Sequence, residues 1–304
     1  MKNKTKHIIL FFVLIIAIDK GLGFLISKVS KSYKLDNRLE LLLNNELKKD
    51  LFIVGSSRAL NSVNPAIISS ETSFSSYNLG FSGTNIVFHK KIIELILSTE
   101  ILPKKIIYII DDPATLMNMK GDIIFKKDEF YPFVNDDRIN KIICETNDKS
   151  YFATFFSDAY KQNVNFNNAL KYLLKGKEPL QIEINNIDEN GANLMEGKKI
   201  NFENIKRLDE NPYLFKEESE EYKNTLNDII ELCKTNKVDL IFVYPPVYFK
   251  SNLKFKQRIN EILSGRCALL DFSDEIDDNN MYYNHGHLNK KGSFIFSKYI
   301  SSSL

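Results

Sequence analysis

Apolar and polar positions along the chain fall into three regimes. The first is an uncharged run from Ile8 to Ile18, apolar on every side of a helix, then Asp19-Lys20 and a second apolar stretch from Gly21 to Ile26. Past residue 50, short continuous apolar runs alternate with stretches of helical period. The strand candidates are Leu51–Gly55, Tyr77–Leu79, Lys105–Ile110, Val238–Tyr244 and Ala268–Phe272, most of them short apolar runs without alternation, as expected of parallel strands covered on both faces. Helical patterns at Asn85–Thr99, Ser219–Lys237, Leu253–Leu263 and Lys290–Ser303 separate or follow them. Strands alternating with helices predict an α/β domain with a roughly five-stranded, mostly parallel sheet between helical layers. The third regime, Met117 to Glu218, is polar, rich in Asn and weakly periodic. It reads as an insertion after the third strand, with helices of its own around Asn135–Cys144 and Asn165–Leu174. Residues 31–50 carry Leu39, Leu41, Leu42, Leu43 and Leu47 among charges and read as a linker helix, which leaves 51–304 as the main domain.

Lys2, Lys4 and Lys6 precede the first run. Basic residues before an apolar segment hold the N-terminus in the cytoplasm and direct the downstream chain across the membrane. The uninterrupted run is shorter than the roughly 20 residues of a span, so by itself it also fits a signal-peptide core. Gly21-x-Gly23 is a poor cleavage site. With Asp19 and Lys20 paired or snorkelling, the segment from Ile8 to Val29 is long enough to anchor. The preferred reading is an uncleaved anchor within residues 1–30, N-terminus cytoplasmic and C-terminal domain extracytoplasmic. An amphipathic first helix of a cytosolic protein is the alternative.

The 304 residues suffice to bury a large core. Lys+Arg 41 against Asp+Glu 39 leaves a net charge of +2, so no basic field argues for nucleic acid. Cys144, Cys233 and Cys267 are odd in number and far apart, which argues against a disulfide framework or a zinc knuckle. No metal and no cofactor are expected. Any imidazole chemistry must choose among His7, His89, His285 and His287.

In an open α/β sheet, ligands bind outside the carboxyl ends of the strands. At the first such end, Gly55-Ser56-Ser57-Arg58 is a tight turn with two hydroxyls. A sharp strand-to-helix turn exposes a serine hydroxyl beside the N–H groups of the next helix, as a nucleophile requires. Equally, Ser56 or Ser57 could simply cap that helix. Near the other end of the chain, Asn284-His285-Gly286-His287-Leu288-Asn289-Lys290-Lys291-Gly292 puts two imidazoles just before the last helix. A general base there could face the first strand's end. A metal reading of the His-x-His pair lacks a third ligand. His89 shares a helical face with Ile93 and Ile96, which is the setting of a near-core histidine.

Taken together, the two segments resemble those of the SGNH/GDSL hydrolase superfamily, marked by a G-x-S turn after the first strand and a D-x-x-H near the C-terminus. The closer likeness is to its membrane-anchored branch, related to the D-alanyl teichoic acid and alginate O-acetylation proteins. The resemblance covers Leu51 to Lys298 apart from the insertion. It implies a flavodoxin-like three-layer α/β/α fold, with Ser57 as nucleophile, His287 as base, and the N–H groups of Ser57 and Gly80 as the oxyanion hole. Two positions depart from the pattern. Asp111-Asp112-Pro113 stands where the family usually offers an oxyanion-donating Asn, and an ionised carboxylate would repel an oxyanion. Asn284 stands where an Asp would orient His287, and an amide cannot stabilise an imidazolium as a carboxylate does. Arg58 is a candidate substrate contact or the salt-bridge partner of Asp111 or Asp112. His285 is a candidate substrate contact and the alternative base.

Three functions compete. One is a membrane-anchored serine esterase or acyltransferase acting on acyl, in particular acetyl, groups of a surface or exported glycan. Another is a catalytically impaired relative that binds a glycan or a multi-pass membrane acyltransferase. The last is a cytosolic lipase-like enzyme, which requires the first thirty residues to form an ordinary helix.

Overall fold

The computed structural model describes residues 2–32, 36–119, 123–146, 149–162, 187–199 and 213–304. They form two compact units. One comprises Met1–Glu40 and Lys126–Asn185, the other Leu41–Phe125 and Asn186–Leu304.

The larger unit is built on five parallel strands: β1 (Leu51–Gly55), β2 (Ser76–Gly80), β3 (Lys105–Ile109), β4 (Asp239–Tyr244) and β5 (Ala268–Asp271). Their spatial order is β2-β1-β3-β4-β5, the order of flavodoxin-like doubly wound sheets. The fold class is therefore as the sequence predicts. Side-chain alternation along the strands sends Leu51, Ile53, Ile107, Ile109, Ile241 and Val243 to one face. There they meet α3 (Ser57–Ser62), α4 (Pro65–Glu71) and the last helix, α11 (Lys290–Ser302), through Ala59, Ile68, Phe296 and Ile300. On the other face, α5 (Ile86–Leu97) packs against α9 (Glu220–Thr235). Helix α10 (Leu253–Leu263) joins β4 to β5. The free edge of β2 is covered by the turn around Gly191: the Asn78 N–H donates to the Asn190 carbonyl at 2.9 Å. Pairing an edge strand in this way removes a template for aggregation.

The smaller unit contains the N-terminal helix α1 (Lys2–Ser32), α6 (Asp137–Glu145), and two single turns, α7 (Ala153–Phe156) and α8 (Asp158–Lys161). Within α1, Lys4–Val29 is long and apolar enough to cross a membrane, with a mean hydropathy of 2.4. Signal sequences share that property. The expected linker helix shrinks to α2 (Arg38–Leu43), since Asn44, Asn45 and Glu46, with Lys48 and Lys49 beyond Leu47, give a helix no apolar face to continue. The helix expected at Asn165–Leu174 lies outside the described residues.

Candidate active site

The site begins at the end of β1. Gly55 has φ +152°, and a Cβ there would lie 3.0 Å from the Ile109 carbonyl oxygen and from the Ala59 Cβ. Only glycine lets the chain turn so tightly against β3. Ser56 is the N-cap of α3: its hydroxyl accepts from the Arg58 N–H at 3.3 Å, and it is buried. Ser57 follows at the first helical position, where the backbone N–H lies outside the helix's own ladder. The two readings of this turn are thus divided between neighbours, Ser56 as cap and Ser57 as the exposed hydroxyl.

His287 comes from a small hairpin, β6 (Tyr282–Asn284) and β7 (His287–Leu288), in which Asn284 and His287 are cross-strand partners. The spacing of three residues is what a two-residue turn, His285-Gly286, produces. The hairpin is held by the segment after it. Asn289 caps α11 by accepting from the Lys291 and Gly292 N–H groups, and donates to the Asn280 carbonyl at 2.6 Å. Gly292 has no space for a side chain, since a Cβ would meet the Met281 carbonyl oxygen at 2.2 Å. The Asn-x-x-Gly after Leu288 is thus a packing requirement of this hairpin. Two hydrogen bonds tie the hairpin and last helix to the serine turn: Leu288 N–H to Ser62 Oγ at 3.4 Å and Asn64 N–H to Ser297 Oγ at 2.8 Å.

Ser57 and His287, 230 residues apart in sequence, meet at 2.8 Å between Oγ and Nε2. On the far side of the ring, Nδ1 is 2.9 Å from Asn284 Oδ1. The same oxygen accepts the Gly286 N–H at 2.9 Å. An N–H donor requires an acceptor, so Gly286 settles which amide atom faces the imidazole. Nδ1 therefore carries the proton and Nε2 offers its lone pair to the serine hydroxyl. Burial, and then the positive charges of Arg58 and Lys199, depress the His287 pKa from its ordinary value to about 4. The imidazole is neutral at pH 7, and its Nδ1 partner is an amide, not a carboxylate.

An open cavity of about 340 Å³ lies over the pair, lined among others by Ser57, Arg58, Gly83, Asp112, Met119 and His287. Arg58 Nε is 3.3 Å from Asp111 Oδ1, so the salt bridge considered for Arg58 is present and its guanidinium still borders the cavity. Burial raises the Asp111 pKa, against the lowering effects of Arg58 and the Ser56 hydroxyl. Asp112 accepts the Asn252 N–H through Oδ2 at 3.2 Å.

Gly80 does not occupy the place the sequence suggested. Its N–H donates to Asn78 Oδ1 at 2.8 Å, a Cβ on it would strike the Leu60 N at 2.6 Å, and it does not line the cavity. It is the contact glycine between β2 and α3. Gly83, at φ +69°, does line the cavity, as does Gly286 of the hairpin turn. Among the described residues the Gly83 N–H has no acceptor. His285 also lies elsewhere: its ring packs against Tyr248 and Phe249, with centroids 5.8 and 6.1 Å away. It is neither a lining residue nor a partner of Ser57. His89 is buried between Thr84 and Tyr108, bonded to both hydroxyls at 2.9 Å, and burial takes its pKa down to about 3. Among the described residues, no three His, Cys, Asp or Glu side chains gather as a metal would require.

No protein-family model and no curated protein matches the chain. Among solved structures, it is similar to an inferred acylhydrolase from Bacteroides fragilis, at 10% identity and a TM-score of 0.42, over 88% of this chain and 95% of that one.

Proposed function

We propose that this protein is a membrane-anchored, SGNH-type serine esterase or acyltransferase acting on acyl, in particular acetyl, groups of a cell-surface or exported glycan. The observation that carries the chemistry is the hydrogen-bonded series Ser57–His287–Asn284 at the mouth of a cavity. In the proposed reaction, Ser57 Oγ attacks the acyl carbonyl while its proton passes to His287 Nε2. Asn284 holds the ring, and the N–H groups of Ser57 and Gly83 receive the developing oxyanion. The imidazolium then returns the proton to the departing alcohol. His287 next takes a proton from water, for hydrolysis, or from an acceptor hydroxyl, for transfer, as that oxygen attacks the acyl carbonyl; the bond from the acyl carbon to Ser57 Oγ then breaks and His287 returns the proton to Oγ. The glycan and its membrane partner, a multi-pass acyltransferase, rest on the resemblance of the two end motifs and on the apolar helix.

A second reading has its own support. The base is weak, Asn284 cannot stabilise an imidazolium, and Asp112 borders the cavity. These favour a catalytically impaired protein that binds a glycan or a membrane acyltransferase. Hydrolysis of 4-nitrophenyl acetate separates the two, because a good leaving group lessens the demand on oxyanion donors. Ser57→Ala and His287→Ala should each abolish nearly all turnover, and the double variant should lose no more than either, since the pair acts as a unit. Turnover that survives Ser57→Ala, or none at all in folded wild-type protein, would shift the function to binding.

A further inference from the structure

The smaller unit buries Phe130 and Tyr131 almost completely, yet leaves Phe152, Phe155 and Phe156 bare, at 54%, 48% and 80% exposure. Tyr151, Phe152 and Phe155 lie ring against ring, with Tyr151 centroids 4.8 and 5.3 Å from those of the two phenylalanines. Phe156 is followed directly by Ser157, where α8 is fastened to α1. Asp19, the first charge after the apolar run, accepts from the Ser157 hydroxyl, from the Asp158 N–H at 2.8 Å and from the Ala159 N–H at 3.3 Å. Lys20 pairs with Asp158 at 3.1 Å. One turn further on, a Cβ on Gly23 would lie 2.6 Å from the Asp158 carbonyl carbon. This glycine therefore serves close packing. The same side of α1 continues through buried Ile26 and Val29, while Leu22, Phe24 and Leu25 stay exposed.

Length decides where this joint falls. At 1.5 Å per residue, Ile8–Ile18 extends about 16 Å, roughly half of a ~30 Å hydrocarbon core. A span therefore needs the residues beyond Asp19, the stretch to which α8 is fastened. The candidate span begins at Lys4. Counted from there, with the lysine snorkelling inward, a ~30 Å core ends about 20 residues on, near Gly23. The joint from Asp19 to Gly23 therefore falls within the outermost ~8 Å of the acyl chains, and Phe156, next to Ser157, falls with it. Phe side chains on an apolar face bury about 5–10 Å into that boundary. We propose that Phe152, Phe155 and Phe156 form a foot that inserts into the lipid headgroup–acyl boundary beside α1. Lipid is the occupant because these rings continue the only other bare apolar surface of the unit's described residues, the run that begins at Ile8. The proposal rests on the reading of α1 as an anchor.

The chain contains no tryptophan, so single Phe156→Trp, Phe155→Trp and Ile15→Trp variants of the full chain are clean probes. Each is reconstituted into phosphatidylcholine–phosphatidylglycerol vesicles whose acyl chains carry bromine near the headgroup or near the methyl end. Ile15→Trp should be quenched most by the deep bromines. Phe156→Trp or Phe155→Trp should shift to the blue and lose about twofold in emission with the shallow ones, as burial by about 5–10 Å implies. If Ile15→Trp is quenched while neither phenylalanine probe is, the foot is overturned and the anchor stands. That includes the case of a protein partner covering the rings. If Ile15→Trp is not quenched either, the anchor is rejected and the foot with it.

Discussion

Replacing Asn284 by Asp acts on the His287 base through charge alone. The Oδ1 atom already accepts from Gly286 N–H and His287 Nδ1–H, both at 2.9 Å, and an isosteric carboxylate keeps both contacts. What it adds is a negative charge beside an imidazole whose pKa is depressed to about 4 by burial, Arg58 and Lys199. At ~4 Å and an effective dielectric constant of ~20, the attraction to an imidazolium is ~4 kcal/mol. One pKa unit corresponds to about 1.4 kcal/mol, so the ceiling is about three units. The partial burial of the carboxylate offsets some of this, and about two units is the expected shift, to a pKa of roughly 6. The sign comes from the role. In the proposed reaction His287 acts as the free base, so kcat/KM should fall as pH drops through its pKa. Wild-type activity should hold from neutral pH down to about 4, whereas the variant should decline from roughly pH 6. Above that limb the variant should be faster, by about tenfold or more, because the imidazolium formed in the transition state is stabilised. The assay is kcat/KM for 4-nitrophenyl acetate against pH, read at the isosbestic wavelength, with the His287 ring titrated by NMR in parallel. An acid limb that stays in place in a folded variant would refute the coupling, and with it the assignment of His287 as base.

Two further substitutions test the surroundings. Asn78 is fully buried; its amide donates to the Ala59 and Val63 carbonyls at 2.8 and 3.1 Å and accepts from Gly80. Asn78→Ala takes a partner from three backbone groups, of which the Ala59 carbonyl keeps the Val63 N–H, and should lower the unfolding free energy in urea by about 2 kcal/mol; a change under about 0.5 kcal/mol would show that the groups find other partners. Asp112→Asn keeps an oxygen for the Asn252 N–H and removes a charge from the cavity, so ester turnover at neutral pH should rise, by about tenfold if the amide donates to the oxyanion. Unchanged or lower turnover would place the oxyanion away from Asp112.

The sheet was legible because its buried strands are continuous apolar runs. Strand β2 was read short, since its outer residue Ser76 is polar yet buried, satisfied by the Pro65 carbonyl and the Ser69 hydroxyl. Helices α3 and α4, of six and seven residues, are too short to show a period, and their caps, Ser56 and Asn64-Pro65, were the signs they left. The serine turn and the histidine loop were legible because local backbone constraints, at Gly55, Asn289 and Gly292, leave marks in the sequence. The choice between Gly80 and Gly83 was not. It depends on the Asn78 side chain folding back onto the Gly80 N–H, a tertiary event to which glycine spacing is blind. The choice between His285 and His287 could have been made on spacing alone: with Asn284 and His287 paired across a two-residue turn, His285 belongs to the turn.

The charges around Ser57 support one half of an acyl transfer more than the other. Burial first, and then Arg58 and Lys199, hold His287 neutral, and each opposes the imidazolium that the proposed reaction forms when the serine proton is taken. The field of the two positive charges favours the negative charge that develops on the acyl oxygen, against the Asp112 carboxylate that borders the same cavity. An Asp at position 284 would strengthen the base while weakening that field. Asn284 leaves it intact and, pinned by Gly286, still fixes the ring and its tautomer. A site of this kind handles acyl donors with good leaving groups best, because they need little help from a general acid and less from oxyanion donors than an unactivated ester does. Thioesters are such donors, and sugar acetyl esters are poorer ones. In the proposed reaction these electrostatics therefore favour an activated acyl donor over an unactivated glycan ester, whichever acceptor then takes the acyl group.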